Sequence, residues 1–193
     1  RLCRSEDEVA AACRALGAQV VMKACSQDIP HKSEHGLVAL QVPDPLAEFH
    51  RQRQRVRELG AQFEGVIVAR RAPRGRELAL GARLDAQFGP VVLVGDGGIY
   101  LEALQDFRLL LPPFTQSEVL AKLGELRIAP LLGPWRGAPG RDLPAFARMA
   151  VMLGDAMLAW QGAVAAVDVN PVIVFETGAG ALAVDALVII TAP

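Results

Sequence analysis

The chain has 193 residues, 52% of them hydrophobic and 21% charged, with a formal net charge of −1. That size and apolar content support a real core and exclude disorder, and a charge this close to zero provides no global field for nucleic acid or an anionic membrane. No apolar run approaches the ~18 residues that a membrane helix needs. The cysteines, Cys3, Cys13 and Cys25, are odd in number and form no CxxC pair, which suits free thiols in a reducing cytoplasm better than a disulfide framework. The chain starts at Arg1, without a methionine, and enters a helical pattern almost at once, so it reads as a piece of something longer.

Ser5 followed by Glu8 predicts a capped helix running to about Leu16, with Val9, Ala12, Cys13 and Leu16 on one face and Gly17 ending it. Strands are expected over 20–24 and 36–42, on either side of the polar loop Pro30-His31-Lys32-Ser33-Glu34. A second helix is predicted from Asp44 or Pro45 to about Leu59, and a strand over 65–69. Along that helix Arg51, Arg53, Arg55 and Arg57 recur at every second residue, fanning over ~200° with no aromatics between them; they read as a solvated face, not a nucleic-acid patch. Ala72-Pro73-Arg74-Gly75 breaks the pattern and predicts a hinge between two lobes, 1–70 and 75–193. Beyond it come expected strands over 77–84 and 90–94, the second apolar throughout and so expected to be buried on both faces. The turn Gly95-Asp96-Gly97-Gly98 follows. Helices are predicted over 117–127 and 143–161, the latter with Phe146, Met149, Leu153, Met157 and Trp160 as a core-facing stripe. The loop over 133–139 separates them, and a hairpin pairing 166–174 with 181–189 closes the chain.

Four groups carry potential chemistry. Lys23, at the expected end of its strand, is a compact cation suited to phosphate oxygens, and the same position equally suits a solvated strand-edge lysine. His31 lies in a polar loop; imidazole is partly unprotonated near neutrality and can accept a phosphoryl group, whereas a lone loop histidine is more often simply solvated. Asp168 and Asn170 are two apart on a strand and share a face. If Glu176 pairs with Ala181 across a turn at 177–180, Asn170 falls opposite Leu187 and Asp185 lies diagonally from it on that same face. Three oxygen donors then converge as Mg²⁺ requires, while a one-residue slip would part them. The other reading of this segment is an Asx turn before Pro171. Gly97 and Gly98 offer backbone amides that a phosphate can approach without side chains in the way.

Taken together, Lys23 with its His31-Lys32-Ser33 loop, Phe88-Gly89-Pro90, Gly95-Asp96-Gly97-Gly98, Trp135-Arg136-Gly137, and Asp168-Val169-Asn170-Pro171 followed by Asp185 resemble the ATP-grasp region of NDP-forming acyl-CoA synthetases. The likeness runs over nearly the whole chain. It implies an α+β, two-lobed ATP-grasp fold with ATP or ADP and Mg²⁺ as cofactors. The resemblance further implies His31 as a phosphoryl relay, and nucleotide contacts from Lys23, the hinge strand at Val68, Ala69 and Arg70, then Glu77, Gly97, Gly98 and Glu102. By the same likeness, Asp168, Asn170 and Asp185 hold the metal. The implied activity is acid–CoA ligation in a cytoplasmic enzyme, with a small-molecule acid as substrate and neither nucleic acid nor membrane as partner. Coenzyme A would bind only through domains absent from this chain, the CoA-binding and CoA-ligase domains of the same or a partner chain. The pattern departs from the family at Arg70, where a glutamate is common, at Leu37 in place of a glycine, at Leu110 in place of an arginine, and at Asp168 in place of a glutamate. Arg108, two residues before Leu110 on the same strand face, is a substitute for that arginine. These departures also suit a second implied function, a regulatory synthetase-like module of a protein lysine acetyltransferase.

Overall fold

Ser5 lies just past the first short strand and caps the first helix. Its hydroxyl accepts the Glu8 N–H at 3.3 Å, and the Glu8 carboxylate accepts the Arg4 N–H at 2.6 Å, so the reciprocal half of the cap goes one residue earlier than a standard capping box. Helix α1 (Glu6–Leu16) then runs to Gly17, whose φ of 87° lets its N–H fold back onto the Cys13 carbonyl. The structure is a computed structural model that describes residues 1–17, 19–29, 32–98, 105–160 and 162–191, in two units, Arg1–Arg71 and Ala72–Pro193.

The first unit carries a four-stranded antiparallel sheet in the order β1-β4-β2-β3, built from β1 (Leu2–Cys3), β2 (Val20–Cys25), β3 (Val38–Ala39) and β4 (Gly65–Arg70). Helix α2 (Pro45–Glu58) is capped by Asp44, which accepts the N–H groups of Leu46 and Ala47 at 3.0 Å, and proline occupies its first turn. Both helices cover one sheet face: Val9 and Ala12 of α1 and Phe49 of α2 bury against Val20, Met22, Val66 and Val68. Replacing Ser5 with Ala is expected to destabilise this unit by about 1 kcal/mol, seen as a lower urea midpoint at unchanged m-value.

Two expectations change here. The strand over 36–42 shrinks to β3, because Leu37 turns inward and is fully buried beside Ala24, Ile29 and Val56. Leu37 therefore fills a core. The arginines of α2 are also not a purely solvated face. Arg51 binds Glu48 and reaches the Gly36 carbonyl at 2.9 Å, and Arg55 reaches the His35 carbonyl at 3.4 Å, so the two brace the 32–37 turn.

The second unit has a larger antiparallel sheet. Its order is β10-β8-β5-β6-β7, with β9 also on β8; the ranges are β5 (Arg76–Asp85), β6 (Gly89–Asp96), β7 (Phe107–Leu110), β8 (Val164–Val174), β9 (Ala181–Ala183) and β10 (Leu187–Ile190). The β5–β6 hairpin pairs Asp85 with Gly89 at one end and Leu78 with Asp96 at the other, so Gly95 and Asp96 belong to the strand and not to the turn. Helix α3 (Gln116–Gly124) opens with a Thr115–Glu118 capping box, a short α4 (Ala129–Leu132) follows, and α5 (Leu143–Ala159) is the longest helix described. Val119 and Leu123 of α3 and Phe146, Ala150, Leu153 and Met157 of α5 pack on Leu78, Leu80, Val92, Val94, Val167, Val169 and Val172. Trp160, expected to extend the α5 stripe, falls just past the helix end and is 40% exposed. Arg108 lies on the same face of β7 as Leu110, and its guanidinium is engaged by Glu125. Helix and strand contents of 31% and 33% make the fold α+β, and among the described residues no helix is long and apolar enough to cross a membrane.

Candidate functional site

The candidate residues of the second unit are placed by an irregularity in β8. Val167 and Val169 face the helices, and so do Val172 and Val174, a spacing that breaks strict alternation. The ladder shows why. Leu80 pairs with Val169 and Leu78 with Val172, leaving Asn170 and Pro171 together opposite Ala79, a β-bulge. Asp168 and Asn170, one step off from Val167 and Val169, therefore lie on the face away from the helices. Asp168 is exposed and Asn170 half-buried.

On its other side, β8 pairs with β9 through Val172 and Ala183 and with β10 through Asp168 and Leu187. These pairs lie on one register, which sets Asp185 across from Asn170 in the break between the two strands. The expected register differs by two: Leu187 faces Asp168 rather than Asn170. A two-residue shift preserves facing in a regular ladder; here the bulge at Asn170–Pro171 interrupts the alternation, so the pairing fixes the face that Asp168 and Leu187 share but not that of Asp185. In the break, the Val184 N–H reaches the Pro171 carbonyl at 3.2 Å, and the Asp185 carboxylate accepts the Ala186 N–H at 3.2 Å. The Asn170–Pro171 peptide is cis.

The glycine turn meets this strand directly. Asp96, 3% exposed, accepts the Arg76 Nη2 at 2.5 Å and the Gly97 N–H at 3.1 Å. The Gly97 N–H also points to the Glu77 carbonyl at 3.2 Å, and the Gly98 N–H donates to Asn170 Oδ1 at 2.9 Å. Both amides, expected to be open to a phosphate, are thus donated to protein acceptors in this state. Glycine is required for another reason. A Cβ on Gly97 would lie 2.7 Å from the Leu78 carbonyl oxygen, and one on Gly98, whose φ is 72°, would collide with Glu77 Oε2. Glu77 itself is exposed on β5 and pairs with Ile173.

In the first unit, Lys23 is the fourth of six residues in β2, between Ile67 of β4 and Val38 of β3, so it does not leave a strand end as expected. The ladder with β4 carries the strand on to Cys25. Met22 and Ala24 are fully buried under the helices, which puts half-exposed Lys23 on the opposite face. Ala69, paired with Val21, shares that face. Val68 does not: its side chain is fully buried, and its main chain exchanges hydrogen bonds with Arg1 at 2.6 and 2.8 Å. Arg70 is exposed at the end of β4, across from Val20. His31 and Glu102 lie outside the described residues.

Sequence reasoning missed the Arg76–Asp96 pair. The signal was an aspartate ending an apolar strand, since a buried carboxylate demands a partner. Among the described residues, no three His, Cys, Asp or Glu side chains cluster as a metal site. Two carboxylates and one amide oxygen are instead the sparse, hard set that suits Mg²⁺, which keeps waters and phosphate oxygens as its remaining ligands. A hollow of about 450 Å³ lined by Arg4, Gln27, Asp28, Gln62, Phe63 and Glu64 contains none of the candidate residues.

An ATP-grasp domain family matches residues 1–190. The β subunit of the ADP-forming acetate–CoA ligase I of Pyrococcus furiosus is 33% identical over 195 residues, which cover 98% of this chain and 83% of that subunit. A trans-feruloyl-CoA synthase from an unknown prokaryotic organism is 37% identical over 190 residues, covering 95% of this chain; the chain spans only 27% of that protein's length. The dinucleotide-forming acetyl-coenzyme A synthetase 1 of Ca. Korarchaeum cryptofilum, solved with coenzyme A, Ca-AMPCP and HgCl⁺, has a TM-score of 0.91 at 30% identity over 99% of this chain and 84% of that one. The same synthetase solved with coenzyme A and Mg-AMPPCP, its phosphohistidine segment pointing towards the nucleotide-binding site, has a TM-score of 0.78 at 27% identity over 98% of this chain and 84% of that one. With a family match over almost its full length and a relative this similar, the chain belongs to the ATP-grasp family, and within it to the ATP-grasp portion of the ADP-forming acyl-CoA synthetases.

Proposed function

We propose that this chain binds ATP or ADP with Mg²⁺ and serves phosphoryl transfer through a histidine in an NDP-forming acid–CoA ligase. The observation that carries this reading is the hydrogen bond from the Gly98 N–H to Asn170 Oδ1 at 2.9 Å, which ties the glycine turn to the strand bearing Asp168. In this reading Asp168, Asn170 and Asp185 hold the metal, which when bound neutralises phosphate charge and orients the γ-phosphate. Lys23 supplies a compact positive charge to the phosphates from its strand face. Ala69, Arg70 and Glu77 line the nucleotide, and Val68 contributes through the strand it builds. The turn at Gly97 and Gly98 gives a flat surface beside the phosphates, Glu102 lies close to it in sequence, and His31 is the phosphoryl acceptor.

The acid substrate and coenzyme A belong to other domains or to a partner chain. The Pyrococcus furiosus relative is itself named as a β subunit, which supports a partner chain. Calorimetry of ADP and ATP with the intact protein, with and without Mg²⁺, tests the reading: binding strengthened by Mg²⁺ is expected, and no binding at millimolar nucleotide would end it. Label from [γ-³²P]ATP is expected on histidine in the wild type and lost in His31→Ala.

A further inference from the structure

Asn170 can serve a cation only through its oxygen, because its NH₂ group has no lone pair to give. The Gly98 N–H decides which end is presented: a donor at 2.9 Å requires Oδ1 on that side, and the carbonyl oxygen keeps a second lone pair. The orientation of Asn170 therefore depends on where Gly98 is held. Gly98 follows Gly97, which is pinned by the Glu77 carbonyl at 3.2 Å and Asp96 Oδ1 at 3.1 Å. Asp96 is in turn held by Arg76, in an ion pair with side chains 4% and 29% exposed. Arg76 Nε is buried with no hydrogen-bond partner among the described residues, so Asp96 is the group that balances this guanidinium.

We propose that the Arg76–Asp96 ion pair is a positioning couple for Asn170, a deepening of the nucleotide–Mg²⁺ reading on which it rests. Arg76 holds Asp96, Asp96 pins Gly97, and the pinned turn aims the Gly98 N–H at Asn170 so that oxygen faces the cation.

The test compares wild type, Asp96→Ala and the double variant Arg76→Met/Asp96→Leu in the intact protein, using calorimetric titration of ADP at graded Mg²⁺ and hydrogen exchange at the Gly98 amide. Asp96→Ala is expected to raise the Mg²⁺ needed for half-maximal ADP binding about tenfold or more, the range for losing a supporting partner. Metal-free ADP binding stays unchanged and Gly98 exchange quickens. The double variant leaves no unbalanced buried charge, so its melting temperature returns towards wild type. Its Mg²⁺ requirement stays raised, because Gly97 still lacks the carboxylate. A double variant with wild-type Mg²⁺ requirement and wild-type Gly98 exchange overturns the positioning role, and so does Mg²⁺ dependence untouched by Asp96→Ala. Wild-type ADP binding indifferent to Mg²⁺ overturns the underlying reading and this one with it.

Discussion

Asn170→Ala is expected to weaken Mg²⁺-supported nucleotide binding on the order of a hundredfold, the upper end of what losing a supporting partner costs a metal site. The change removes two things at once, an oxygen proposed for the metal and the acceptor of the Gly98 N–H at 2.9 Å. Its control is Asn170→Asp, which keeps an oxygen for Gly98 and adds a charge that Mg²⁺ favours. Binding in the aspartate variant is expected to remain close to wild type. If both variants bind nucleotide and Mg²⁺ as the wild type does, Asn170 is no ligand. If only the alanine variant fails, the need is for oxygen at this position. Calorimetry across a range of Mg²⁺ separates the two, because nucleotide affinity without metal is an internal reference for intact folding.

The second large effect concerns Gly97. A methyl group there would lie 2.7 Å from the Leu78 oxygen and 2.8 Å from the Ala79 nitrogen. Both belong to β5, which is hydrogen-bonded to β6 on one side and β8 on the other and cannot move aside. Gly97→Ala is therefore expected to cost about 3 kcal/mol, the upper part of the overpacking range, and to lower the melting temperature by roughly 10 °C. Gly98→Ala is expected to cost less, about 1–2 kcal/mol for a non-glycine residue at positive φ, since the atom it meets is the end of the flexible Glu77 side chain. Thermal melts of the two variants check the order. A Gly97→Ala protein as stable as Gly98→Ala would mean that the turn does not pack against β5.

How much of this could be seen in the order of amino acids depends on distance along the chain. The helix starts at Ser5 and Asp44 were legible because each cap acts within four residues, Ser5 on Glu8 and Asp44 on Leu46 and Ala47. The Thr115–Glu118 cap was missed, and that helix, expected from Ser117, begins at Gln116. Lys23 was misplaced within its strand because strand length depends on how far β4 pairs along β2, and β4 is some forty residues away in sequence. Val68 was counted with the nucleotide strand, although every second residue of β4 turns towards α1 and α2. The arginines of α2 looked solvated because the carbonyls they bind, at His35 and Gly36, reach them only after the chain has folded back.

By itself, the amino-acid order determined which oxygen donors are available near the C-terminus and that Asp168 and Asn170 share a face, since parity along a strand is a property of the backbone. It also determined the family. Only the tertiary structure decided that Leu187 faces Asp168, that a bulge at Asn170–Pro171 keeps Val172 and Val174 in the core, and that Asp96 is buried against Arg76. Those features arise from pairing between segments far apart in sequence, where strand breaks and buried charges settle the register, and no local preference encodes them.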